Sequence, residues 1–176
     1  MRTDRLELVP ATLELCAAEA VGPSAVARVL GVNVPSEWPP PVFEADDVDR
    51  VRRQLSGRLP VDGWILHYVL RRGPTHAAAP TLIGVAGYAG RPTSDGVVEI
   101  GYAILTEHQG HGYATEAVTA LVDHALADRS VRAVVATTYD TLQPSIRVLQ
   151  KTGFRETARD RASGLIRFER SQPASA

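Results

Sequence analysis

A glycine-rich turn between a strand and a helix constrains this chain more than any other stretch. The run His108-Gln109-Gly110-His111-Gly112-Tyr113-Ala114-Thr115-Glu116 follows an apolar, strand-like segment, Val97 to Leu105, and opens a helix patterned to about Asp128. Ala117, Val118, Leu121, Val122, Ala125 and Leu126 keep helical spacing, with Glu116, Asp123 and Asp128 outside it. Arg132 to Thr138 then reads as an apolar, β-branched strand of the kind buried on both faces. A strand, a crossover helix and a second strand imply parallel or near-parallel pairing. The first amides of a helix have no intrahelical partner, and the macrodipole adds positive potential there. The turn is therefore a ready site for a phosphate-bearing ligand.

The rest of the chain supplies more strands and short helices. Leu6-Glu7-Leu8-Val9 alternates as a strand stopped by Pro10. Thr12 is suited to cap a helix through about Ala20, with Leu13, Cys16, Ala17 and Ala20 on one face, and Ser24 to cap a second ending at Gly31. Val32 to Val42 holds Pro35, Pro39, Pro40 and Pro41 with Trp38, which excludes helix and central strand. It reads either as a packed surface loop or as a wall of a substrate site. Glu44 to Asp47 opens another helix, with Arg50, Arg52 and Arg53 later in it, as the macrodipole favours. Trp64 to Leu70, Leu82 to Ala89 and Val97 to Leu105 read as an antiparallel meander, with Arg71 to Pro80 as its first link. Gly84 and Gly87 mark a bulge or a close backbone approach. Leu142 to Ser145 starts a helix with Pro144 in its first turn, ended by Gly153. Phe154 to Arg159 and Leu165 to Glu169 form a closing hairpin.

A single domain over 1–170 and a disordered tail over 171–176 are expected. The net charge of −1 gives no electrostatic footprint for nucleic acid or an anionic membrane, and no apolar stretch approaches a membrane span. No signal-peptide core is visible, so cytoplasm is the expected location. Cys16 is the only cysteine, which excludes an internal disulfide and a cysteine-based zinc cluster; it reads as a buried thiol. His108-x-x-His111 lacks nearby carboxylate or cysteine partners, so no metal is expected there. His67 and His124 read as structural or exposed, and His76 as a loop residue.

Gln109-x-x-Gly112-x-Ala114 gains specificity from its context. It sits after the acid-bearing strand Glu99-Ile100-Gly101-Tyr102 and ahead of Gln143-Pro144-Ser145-Ile146-Arg147-Val148-Leu149-Gln150-Lys151-Thr152-Gly153-Phe154. The arrangement resembles the GNAT N-acetyltransferase superfamily. With the opening Thr3-Asp4-Arg5-Leu6-Glu7-Leu8, it looks most like the ribosomal-protein N-terminal acetyltransferase (RimJ/RimL-type) branch. The resemblance is thin between Val21 and Leu59. It implies an α/β GNAT fold: a central mixed, mostly antiparallel sheet with a splayed parallel strand pair, flanked by helices. It also implies acetyl-CoA as co-substrate, no metal, and transfer of the acetyl group to a primary amine of a small molecule or a peptide N-terminus. A homodimer is compatible with it; nucleic acid and membrane are not expected partners.

Carried over residue by residue, the resemblance makes Gln109, Gly110, His111, Gly112, Tyr113, Ala114 and Thr115 the turn that holds the CoA pyrophosphate. It puts Ile104 and Leu105 where the strand backbone meets the pantetheine arm. Gln143 stands where the family usually has an asparagine that contacts the arm. Glu99 shares a sheet face with Gly101 and Ala103, and an acid among small residues suggests a cleft. Glu99 is the candidate base, directly or through water, or else a structural salt-bridge partner. Ser145 is the candidate acid for the leaving thiolate, as in the branch it resembles, or else a helix cap. Tyr102 and Tyr139 are further hydroxyl candidates or packing residues. Two rival readings remain: a CoA-binding module with little or no catalysis, acting as a sensor or assembly subunit, and a nucleotide-phosphate binder. The missing Gly-x-x-x-x-Gly-Lys-Ser/Thr signature disfavours the second.

Overall fold

The protein is described from a computed structural model that covers residues 1–57, 61–73, 75 and 78–172. Its strands form one sheet in the order β1-β2-β3-β4-β5-β7-β6. They are β1 (Leu6–Pro10), β2 (Leu66–Arg71), β3 (Thr81–Tyr88), β4 (Val97–Ile104), β5 (Ala133–Tyr139), β6 (Arg155–Arg159) and β7 (Leu165–Ser171). The helices are α1 (Leu13–Val21), α2 (Pro23–Leu30), α3 (Ala45–Leu55), α4 (Tyr113–Ala127) and α5 (Gln143–Lys151). All strand pairs are antiparallel except β4 and β5, which join through the α4 crossover. The expected mixed sheet with one parallel pair is thus present.

Strand alternation sends two sets of side chains to two cores. Leu6, Leu8, Val69, Ile83, Val98 and Ile100 pack with Ala117, Val118, Leu121 and Val122 of α4, and with Leu149 and Phe154. Tyr68, Leu70, Leu82, Val85 and Ala103 pack with Leu15, Cys16 and Ala18 of α1, Val26 of α2 and Val51 of α3. Both expected roles of the β3 glycines appear. The register between β2 and β3 shifts at Val69/Leu70, and a Cβ on Gly84 would collide with the Ala103 carbonyl.

The structure revises several local expectations. The buried face of α1 is Leu15, Cys16 and Ala18, while Leu13 is exposed, because α1 packs against both α2 and α3. Gly22 rather than Ser24 is the cap of α2, with Pro23 in its first turn. Glu116 is not on a solvated face: its carboxylate accepts from Thr3 Oγ1 at 2.6 Å and from Arg5. Ser171, expected in a disordered tail, closes β7 opposite Ala133, and Gln172 donates to the Leu126 carbonyl at 2.9 Å. Residues 173–176 of that tail, and the expectation for His76, lie outside the described residues.

Candidate active site

β4 and β5 pair only from Val97–Glu99 to Ala133–Val135 and then diverge. The gap opens a cavity of about 990 Å³ that reaches both faces of the sheet. Pro40–Phe43 and α3 stand on one side; the turn at the head of α4, together with α5, stands on the other. Odd-numbered residues of β4 bond to β3, as in Ala89 N–H to Glu99 O (2.9 Å) and Leu105 N–H to Ile83 O (2.8 Å). Alternation therefore turns the backbone groups of Tyr102 and Ile104 toward the gap.

The turn is held from several directions. Gly110 and Gly112 have φ of 78° and 80°, a left-handed conformation that glycine adopts without steric penalty. Gln109 Nε2 donates to Ile104 O at 2.9 Å, which locks the turn to the end of β4. The helical ladder begins with Glu116 N–H on Gly112 O (3.0 Å), leaving the amides of Tyr113, Ala114 and Thr115 ahead of it. Gln109, Gly110, Gly112, Tyr113, Ala114 and Thr115 all line the cavity, as does Ile104. A row of forward-facing amides at a helix start suits a pyrophosphate, so these residues fit the phosphate end of CoA.

Three other residues assigned to the cofactor do not line the cavity. Leu105 is 1% exposed in the core, with its N–H taken by β3, because strand alternation points it away from the gap. Gln143 turns its amide back to Asp140 O at 2.7 Å and does not line the cavity. His111 is exposed: its ring stacks 5.7 Å from Tyr113 and its Nδ1 lies 2.8 Å from Gln109 O.

Glu99 and Ser145 border the same cavity. Glu99 is exposed to it, with Thr137 Oγ1 at 3.4 Å, and forms no ion pair among the described residues. Ser145 is not the cap of α5; Leu142 holds that position. Its Oγ lies 2.9 Å from the hydroxyl of Tyr102, which also reaches the Ser145 carbonyl at 3.1 Å. Burial pushes the Tyr102 phenol up to about 12 against the opposing pull of the Ser145 bond. A phenol that stays protonated can hand a hydrogen bond to Ser145 without losing its own proton. Tyr139 also lines the cavity and is half exposed.

Trp38 does not face the cavity. It is 4% exposed, lies tilted against the rings of Phe43 and Tyr68, and donates from Nε1 to the Glu19 carboxylate at 3.1 and 3.2 Å. The loop nonetheless forms a wall through its next residues, Pro40 to Phe43. Sequence reasoning gave no role to Arg50, Arg147 or Lys151, all of which line the cavity. The helical i, i+4 spacing of Arg147 and Lys151 was the available signal.

A model of the acetyltransferase (GNAT) domain family matches residues 5–155. The chain belongs to the GNAT acetyltransferase family. As a member it is an N-acetyltransferase that takes its acetyl group from acetyl-CoA. The uncharacterized N-acetyltransferase YjdG of Bacillus subtilis (strain 168) is 28% identical over 156 residues, 88% of each chain. Two solved GNAT folds are similar at lower identity. One is a GNAT-family acetyltransferase from Bacillus anthracis, with a TM-score of 0.63 and 19% identity over 97% of both chains. The other is RimL, a ribosomal L7/L12 alpha-N-protein acetyltransferase in complex with coenzyme A, with a TM-score of 0.65 and 17% identity over 96% of this chain and 95% of that one.

Proposed function

We propose that this acetyltransferase acts on a primary amine, of a small molecule or a peptide N-terminus, bound between the Pro40–Phe43 wall and Glu99. The observation that carries the reading is the single cavity through the β4/β5 splay. It is bordered by the phosphate turn, the Ser145–Tyr102 pair and the Glu99 carboxylate. When bound, acetyl-CoA supplies the thioester. Glu99 takes the proton of the incoming ammonium, directly or through water, freeing the amine to attack. The N–H groups turned toward the gap by β4 lie where the arm of the cofactor would run. Ser145, oriented by Tyr102, delivers a proton to the departing sulfur, and the second proton shed by the nitrogen as the amide forms replaces it.

The cavity supports a shared chamber for cofactor and acceptor, since its volume is at the upper end of small-molecule sites. We read the active unit as the single domain 1–170, acting in the cytoplasm where acetyl-CoA is made, on neither nucleic acid nor membrane. No helix among the described residues is long and apolar enough to cross a membrane. Incubation with acetyl-CoA and a panel of amines and peptides, read by mass spectrometry, tests the proposal. An acetylated primary amine with matching thiol release is the expected result. Tight CoA binding without thiol release for any acceptor would favour the non-catalytic module.

A further inference from the structure

The turn at the head of α4 has no cation of its own: neither lysine nor arginine occurs between Arg91 and Arg129. It has acids instead, Glu107 before it and Glu116 in the first turn of the helix. An unopposed carboxylate at Glu116 would repel an anion held by the same helix start.

The opposing charge comes from the far end of the sequence. Arg5 Nε donates to Glu116 Oε2 at 2.7 Å, and the Arg5 N–H donates to Oε1 at 2.8 Å. Its Nη1 donates to the His111 carbonyl at 2.9 Å, and its guanidinium lies 4.7 Å over the Tyr113 ring. Its Nη2 is the nearest atom, at 3.5 Å, to where a Cβ on Gly112 would stand. Arg5 does not line the cavity, so it acts through the turn. Burial raises the Glu116 carboxyl, but the bonds from Thr3 and Arg5 outweigh it and hold the group below the ordinary carboxylate range.

We infer that Arg5 is a positioning residue of the phosphate turn: its guanidinium cancels the Glu116 charge and fixes the His111 carbonyl, so that the amides ahead of α4 meet the CoA pyrophosphate with their positive potential intact. This rests on the CoA reading of the turn. The planar fork of arginine suits the task, because one side chain must satisfy a carboxylate and a carbonyl at once.

Calorimetry with CoA and with pantetheine, which lacks the phosphates, tests it on the full chain. Arg5→Met weakens CoA binding by about tenfold or more and leaves pantetheine unchanged. Adding Glu116→Gln removes the unopposed charge and restores CoA affinity to within about threefold of wild type. Should Arg5→Met fail to fold, Arg5→Lys is read with the same two probes and again loses more for CoA than for pantetheine. Equal losses for both probes, or a double variant no better than Arg5→Met, would make Arg5 a structural strut and overturn the inference. A wild-type protein that binds no CoA overturns the underlying reading and the inference with it. Wild-type binding with unchanged variants overturns the inference alone.

Discussion

The wall of the cleft at the head of α4 presents backbone, whereas the opposite wall presents side chains: Pro40 to Phe43, with Asp47 and Arg50 of α3. On the cofactor side, left-handed Gly110 and Gly112 are pinned by Gln109 on Ile104 O and by Arg5 on His111 O. On the other, Pro40 to Phe43 are carried by a buried Trp38 that is anchored on Glu19. A backbone cradle is specific for one chemical group and tolerates few substitutions. A wall of side chains can change its ligand by substitution while the cradle stays as it is. On the function proposed above, CoA and the acceptor would meet walls of matching kind.

That contrast breaks most visibly at Gly112. Gly112→Glu puts a side chain into a left-handed position, a strain of roughly 1–2 kcal/mol, and adds a negative charge to the phosphate turn. CoA binding should fall below detection in calorimetry. Retained affinity would move the cofactor wall elsewhere.

The next effect belongs to the sheet between the walls. His67 on β2 is 4% exposed, and burial, with the nearby amino-terminal charge, depresses its pKa to about 4. Its neutral form is the folded form. Above its ordinary value of about 6.5 neither state is protonated, and as pH falls from there toward about 4 only the unfolded chain takes up the proton. Stability should fall in that window by up to about 3 kcal/mol, as 2.5 units at 1.36 kcal/mol each would give. Denaturant melts of wild type and His67→Gln across that range check it; the same pH dependence in both would mean that His67 contributes nothing to it.

Ser145→Ala should lower turnover by roughly tenfold to a hundredfold with little change in CoA affinity. Tyr102→Phe should do less, since it acts through Ser145. Smallest is Trp38→Phe, which removes the Glu19 bonds at a cost of about 1–2 kcal/mol in unfolding free energy. It should raise the acceptor KM and leave CoA affinity alone. A parallel loss of CoA affinity would mean that the walls are not independent.

Legibility in the sequence followed the same divide. The turn, its strand and its helix obey local rules, so an anion-binding helix start could be read from glycines and apolar spacing, and the resemblance narrowed it to Gln109 to Thr115. The bulged β3 and the parallel crossover were equally local. Leu105 turns from the gap because one residue of strand alternation separates the gap from β3, and no motif resolves a single residue. Gln143 turns its amide back to the Asp140 carbonyl, a contact no motif announces. Arg5 was invisible as a functional residue: its partner Glu116 is 111 positions away. The face of α1 was also misread, since an alanine-rich helix has little amphipathic contrast and its orientation is set by α2 and α3.

If one cleft binds CoA on its backbone wall and performs proton chemistry at Glu99, the two properties separate in a single variant. Turnover and CoA affinity measured side by side in Glu99→Gln test it most directly. Turnover should fall by about a hundredfold or more while CoA affinity stays at the wild-type value. Equal losses in both, or unchanged turnover, would contradict it.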